Sequence, residues 1–70
     1  MIYILKIKGT DKIPDFVQIR DQDMTLRAYF RMDQQEFGIR KNNLGKWEKE
    51  IISALDETPF GKLKKLDIQL

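Results

Sequence analysis

The sequence predicts an α+β domain, an antiparallel sheet of four to five strands with one helix packed on one face, in the order β-β-β-β-α and then a short terminal β-strand. Three observations carry this. Four short segments between Ile2 and Lys41 are rich in β-branched and aromatic residues and are separated by turn-forming residues. One stretch, Asn42 to Gly61, spaces its apolar residues as a helix does. No repeat, low-complexity tract or linker divides the chain, so residues 1–70 read as a single domain. A chain of this length buries only about 60% of the surface its unfolded form exposes, and its stability is marginal.

The first segment, "IYILKIKG" (Ile2 to Gly9), puts Tyr3, Leu5 and Ile7 on one face and Ile2, Ile4, Lys6 and Lys8 on the other. "GTDKIPD" supplies turn chemistry, and Pro14 forces Ile13 toward extended backbone. "FVQIR" (Phe16 to Arg20) and "TLRAYFRM" (Thr25 to Met32) then alternate cleanly around a loop of about four residues and read as a hairpin. With Ile19 opposite Leu26, Val17 falls opposite Ala28, Phe16 pairs with Tyr29 and Gln18 with Arg27. Val17, Ile19, Leu26, Ala28, Phe30 and Met32 then share a core face.

"DQQE" makes the next turn, and "FGIRK" (Phe37 to Lys41) reads as a fourth strand with Phe37 and Ile39 inward, Gly38 and Arg40 outward. Asn42 or Asn43 is a good N-cap for the helix, whose stripe is Leu44, Trp47, Ile51, Ala54 and Leu55; Pro59 and Gly61 stop it. Leu66, Ile68 and Leu70 recur at period two and close the chain as a short fifth strand.

Composition excludes several chemistries. The chain has no histidine and no cysteine, so the usual general base near neutral pH, the usual thiol nucleophile, the usual transition-metal ligands and any disulfide framework are missing together. The acids sit in predicted turns and at a helix end, where Asp and Asn are favoured for local hydrogen bonding, and the Asp21 and Asp23 spacing lacks the glycine and distal glutamate of a calcium loop. The four glycines form no phosphate-binding loop. A non-enzymatic protein without metal or cofactor is expected. No apolar run is long enough for a membrane span and no signal-peptide pattern is present, which predicts a cytoplasmic chain with no membrane partner.

Thirteen basic against eleven acidic residues give a net charge of +2, too small to indicate a polyanion partner by itself. How the charges sort onto faces matters more. One helix leaves one sheet face open, and the alternation assigns to it Lys6, Lys8, Phe16, Gln18, Arg20, Arg27, Tyr29, Arg31 and Arg40, with Glu36 the main acid. Cations interleaved with aromatic rings suit phosphates and unpaired bases, which makes Lys6, Arg20, Arg27, Arg31 and Arg40, with Phe16 and Tyr29 as stacking rings, the candidate site for single-stranded nucleic acid. Ile2, Ile4 and Phe16 on the same face suit a protein partner instead, including a second copy in a homodimer paired through an edge strand.

"FVQIRD", "TLRAYFRMD" and "FGIRKNNLGKWEKEI" carry a resemblance to the positive cofactor four family of transcriptional coactivators, over Phe16 to about Leu55. The resemblance implies a dimer that grips single-stranded DNA with a curved antiparallel sheet backed by a helix, and it carries over two basic positions, Arg20 and Arg31. This chain departs from the family pattern where a DNA-contacting hairpin with aromatic and lysine residues is replaced by Gln22-Asp23-Met24, and where Leu66 to Leu70 has no counterpart.

Overall fold

In the computed structural model, which describes residues 1–70, the first three strands lie where the alternation predicts them. They are β1 (Ile2–Ile7), β2 (Phe16–Arg20) and β3 (Leu26–Arg31), and a fourth, β4 (Leu63–Leu66), returns at the end of the chain. All neighbours are antiparallel in the order β3-β2-β1-β4, so β1 and β2 are central and β3 and β4 are edges. Two helices, α1 (Gln35–Lys41) and α2 (Glu48–Glu57), cover one face. No helix is long and apolar enough to cross a membrane.

Two of the predicted elements are corrected. Phe37 to Lys41 is not a strand but most of α1, and the reason is packing. Gly38, predicted to point outward, is buried against the Phe30 ring, and a Cβ at this position would overlap that ring. The missing side chain lets the helix backbone lie directly on β3, while Ile39 enters the core and Phe37 is left 65% exposed rather than inward. Asn42 and Asn43 end this helix instead of capping the next. Asn43 adopts φ 63, its N–H donates to the Arg40 carbonyl (3.1 Å), and the Leu44 N–H donates to that of Ile39 (2.9 Å), the paired bonds of a Schellman motif. Asparagine tolerates the left-handed conformation this requires.

The α2 segment begins with a 3-10 turn, Gly45–Trp47, and no side chain caps it. Its stripe is as the spacing predicts. Leu44, Ile51, Ala54 and Leu55 are buried with Ile2, Ile4, Val17, Ile19, Ala28, Phe30, Ile39 and Ile68, and Trp47 packs against them. The closing strand is Leu63–Leu66 rather than Leu66 to Leu70, so it starts three residues earlier than the alternation suggests. Ile68 still reaches the core, beyond the strand end.

Register and facing also shift. Ile19 is opposite Ala28 and Val17 opposite Phe30, a slide of two residues that leaves the side chains from Phe16 to Ile19 and from Ala28 to Arg31 on their predicted faces because the strand period is two. A bulge then sets Arg20 opposite Leu26 and leaves Arg27 as the extra residue, which turns Leu26 out of the core to 45% exposure. On β1 the predicted facing inverts. Ile2, Ile4 and Lys6 are buried under the helices, so Ile2 and Ile4 are core rather than partner anchors and Lys6 is absent from the open face; Tyr3, Leu5 and Ile7 take that place.

A lysine in the core needs partners, and α2 provides them. Its last turn leaves carbonyls without intrahelical donors. The Lys6 ammonium donates to the Leu55 and Thr58 carbonyls, both at 2.8 Å, and lies 4.6 Å from the centre of the Phe60 ring. Its positive charge also meets the negative end of the helix dipole. The Lys6 carbonyl accepts from the Gly61 N–H (2.9 Å), so one residue holds the α2–β4 connection through both side chain and backbone.

This packing is testable at Lys6, Gly38 and Gly45. Lys6→Met keeps the apolar stem and removes both charge-assisted bonds, and we expect a loss of about 2–3 kcal/mol in urea unfolding; a loss within error would show that the carbonyls do not depend on the ammonium. Gly38→Ala should destabilise by about 1–3 kcal/mol through overlap with Phe30. Gly45→Ala, where a Cβ meets only the flexible Arg40 side chain at 3.6 Å, should be neutral or stabilise by up to about 1 kcal/mol.

Candidate docking face

The face opposite the helices is built from alternate residues of all four strands. Cross-strand partners share a side, which gives three rows: Lys65, Tyr3, Arg20 and Leu26; Leu63, Leu5, Gln18 and Tyr29; and Ile7, Phe16 and Arg31. Tyr3, Leu5, Ile7 and Phe16 are half-buried among their neighbours, while Tyr29 and Leu63 are 51% and 53% exposed. The centre is aliphatic and aromatic, with Gln18 its one uncharged polar side chain.

Phe16 and Tyr29 stack with ring centroids 4.8 Å apart and planes 7° from parallel, a diagonal contact between β2 and β3 that fixes both rings. No acid occupies a strand position on this face. Its cations are Arg20, Lys65 and Arg31, and two of these are engaged. Arg20 donates to the Met24 carbonyl (2.9 Å) and to Gln18 Oε1 (3.4 Å). Arg31 grips Asp33 through two bonds of 3.0 and 2.7 Å, and that carboxylate raises its pKa further.

Of the residues predicted to bind nucleic acid, the fold brings together Phe16, Arg20, Tyr29 and Arg31. Lys6 is in the core. Arg40 lies in the helical layer on α1, holding Glu48 by two bonds of 2.7 and 3.1 Å, which raises its pKa, and Glu36 is on the same helix. Arg27, the bulge residue, faces Asp21 at 3.4 Å. The residues the sequence reading missed are Tyr3, Leu5, Ile7, Leu63 and Lys65. Their signal was available in "IYILKI", which is apolar on both alternating faces, as strands covered on both sides are.

Of the turn acids, Asp33 pairs with Arg31 and Asp21 organises its loop. Asp21 accepts N–H donors from Asp23 (2.9 Å) and Thr25 (3.0 Å), holding Met24 at φ 65 in the hairpin loop and so placing the carbonyl that Arg20 bonds. No three of the carboxylates converge into a cluster that could hold a metal ion. A concavity of about 610 Å³ is formed by the consecutive residues Met32 to Phe37 and draws no side chain from another element.

Desolvation pushes the Asp21 carboxyl up, but the Thr25 and Asp23 amides and the Arg27 guanidinium outweigh it, and the group sits below its ordinary range. A carboxylate with a depressed folded pKa adds stability that is present above its unfolded value, about 4, and is lost as pH falls through the folded one. Asp21→Asn keeps an acceptor oxygen and removes the charge. We therefore expect it to melt below the parent at pH 7, with the two melting curves converging as pH falls below about 4; a gap that is constant from pH 7 to pH 2 would contradict this. No family model, curated protein or solved structure matches this chain.

Proposed function

We propose that the chain is a small non-enzymatic protein-docking module that pairs with a second copy of itself, face to face, through the open side of its sheet. The observation that carries this is the double apolar character of β1. One side of that central strand is covered by the helices; the other presents Tyr3, Leu5 and Ile7, half-buried and away from the helices. An apolar patch continuous across four strands is the mark of a contact surface. The edges are poorly suited to strand pairing, since β4 is short and bears Lys64 and Lys65 and β3 is broken by its bulge. That moves the expected homodimer contact from an edge to the face.

Size and charge set the form of the pair. A face of four strands spans roughly 20 by 20 Å, so two faces bury on the order of 1,000 Å², near the lower bound of a specific interface. Arg20 and Lys65 lie at one end of the face and the Arg31 and Asp33 pair at the other. A two-fold axis across the strands sets each cationic end over the partner's Asp33 end. An axis along the strands would set the cations against their own copies.

The second reading, single-stranded nucleic acid, is favoured by the three rings Tyr3, Phe16 and Tyr29 on a face without acids. Leu5, Ile7 and Leu63 offer no stacking surface, and Arg31 already has its carboxylate, which is why docking is preferred. Sedimentation across a wide concentration range tests the choice. We expect the mass to rise from 8.3 kDa toward twice that value, Leu5→Arg and Ile7→Arg to remain folded monomers, and Arg40→Ala to pair as the parent does. A monomer at every concentration would remove the pairing, and salt-sensitive binding of labelled single-stranded DNA would move the face to the second reading.

A further inference from the structure

We propose that the groove between the margin of β3 and helix α1 is a binding site for a planar aromatic anion, a single ring system bearing a phosphate or a carboxylate. The groove has a volume of about 300 Å³, the small end of the range for small-molecule sites. It is lined by Tyr29, Arg31, Gln34, Phe37, Lys41 and Asn42 and backed by the Phe16 and Phe30 rings.

Its aromatic walls are the two most exposed rings of the chain, Phe37 at 65% and Tyr29 at 51%. A phenylalanine left this open on a helix forgoes most of the roughly 2 kcal/mol that burial offers, a loss that a ligand ring would recover. Tyr29 is held by its stack on Phe16 and does not need to be ordered on binding.

The charge beside these rings has no counter-ion. Lys41 Nζ lies 5.8 Å from the Phe37 ring centre and makes no ion pair, whereas Arg31 is matched by Asp33. No acid lines the groove. Lys41 is therefore the anion handle, at the distance from the Phe37 ring that a substituent on a stacked ligand ring would span. Asn42 uses its Nδ2 on the Gly38 carbonyl and keeps its amide oxygen for a ligand donor, and Gln34 adds a second amide. This site goes beyond the pairing proposed above: it shares Phe16, Tyr29 and Arg31 with the sheet face, and its other wall, which carries Lys41 and Phe37, lies on α1, outside that face.

The test is calorimetric titration of the full chain with phenyl phosphate, adenosine monophosphate and inorganic phosphate. We expect saturable binding of at least one ring-bearing probe at about 1 mM or tighter, with inorganic phosphate weaker by about tenfold or more. Tighter binding of the nucleotide marks a nucleotide as the source of the ring, and tighter binding of phenyl phosphate marks a phosphorylated phenol; both support the site. Lys41→Ala and Phe37→Ser, at exposed positions that folding does not need, should each weaken binding about tenfold. Leu5→Arg, which loses pairing, should bind at least as tightly as the parent, because it only uncovers the shared Tyr29 wall, and Lys41→Ala should still pair, so that loss of pairing and loss of this site are read separately. No saturation by about 10 mM, inorganic phosphate binding as tightly as the ring-bearing probes, or binding indifferent to both groove variants would overturn the proposal.

Discussion

The architecture turns on one buried charge, the Lys6 ammonium at the carbonyl end of α2. The C-terminus of a helix packed on a sheet has carbonyls that neither water nor the helix can satisfy, and each left unpaired costs on the order of 1–3 kcal/mol. Here the central strand supplies the donor. Because Leu55, Thr58 and the Phe60 ring all converge on Lys6, the position of α2 along β1 is fixed by polar geometry as well as by the apolar stripe. The Thr58 hydroxyl donates to the Ala54 carbonyl at 2.6 Å and completes the cap. The Lys6 carbonyl then accepts from the N–H of Gly61, whose φ of +79 turns the chain into β4 beside β1. Helix placement and sheet completion are one event.

That constraint decides which side of β1 faces outward. A lysine in a strand ordinarily marks the solvent side, and by that rule Tyr3, Leu5 and Ile7 would be core. The α2 carbonyls reverse the rule: Lys6 is 8% exposed, Ile2 and Ile4 are drawn in beside it, and the opposite apolar triplet is left uncovered. An exposed apolar sheet face is therefore not a packing defect. It follows from using a central-strand cation to terminate a helix, and it leaves the Tyr3, Leu5 and Ile7 side of β1 without a helix over it.

Much of the fold was legible because periodicity is a local signal. The β2–β3 hairpin and the α2 stripe depend on residues close in sequence, and even a register error of two residues preserves the faces of Val17, Ile19, Ala28 and Phe30. What was illegible depends on contacts distant in sequence. "FGIRK" is too short for period two to be told from period 3.6, and what makes it a helix is the room beside Phe30, which only Gly38 allows. Lys6 and its carbonyl partners are separated by 49 and 52 residues. The bulge that exposes Leu26 rests on the Asp21 loop, whose acids look in the sequence like any solvated turn. The candidate site inherited these errors: its β2 and β3 members, Phe16, Arg20, Tyr29 and Arg31, were found, and its β1 members were not.

The charges left over after folding bear on which surfaces can meet. The exposed residues of α2 include Glu50, Asp56 and Glu57 against Lys49, while the open sheet face bears Arg20 and Lys65 and no acid at a strand position, so α2 is acidic and the sheet face basic. Charge alone would then stack copies head to tail, basic face on acidic helix, a heterologous contact that does not close. Apolar area opposes it. Lys49, Glu50, Ser53, Asp56 and Glu57 give the outer side of α2 nothing apolar to offer Leu5 and Ile7, and attraction between exposed charges is screened beyond about 8 Å at physiological salt. Face-to-face pairing covers both apolar triplets at once, and its cations need only the neighbouring Asp33 ends. The hydrophobic contribution, unscreened and proportional to area, favours the closed pair over the open stack.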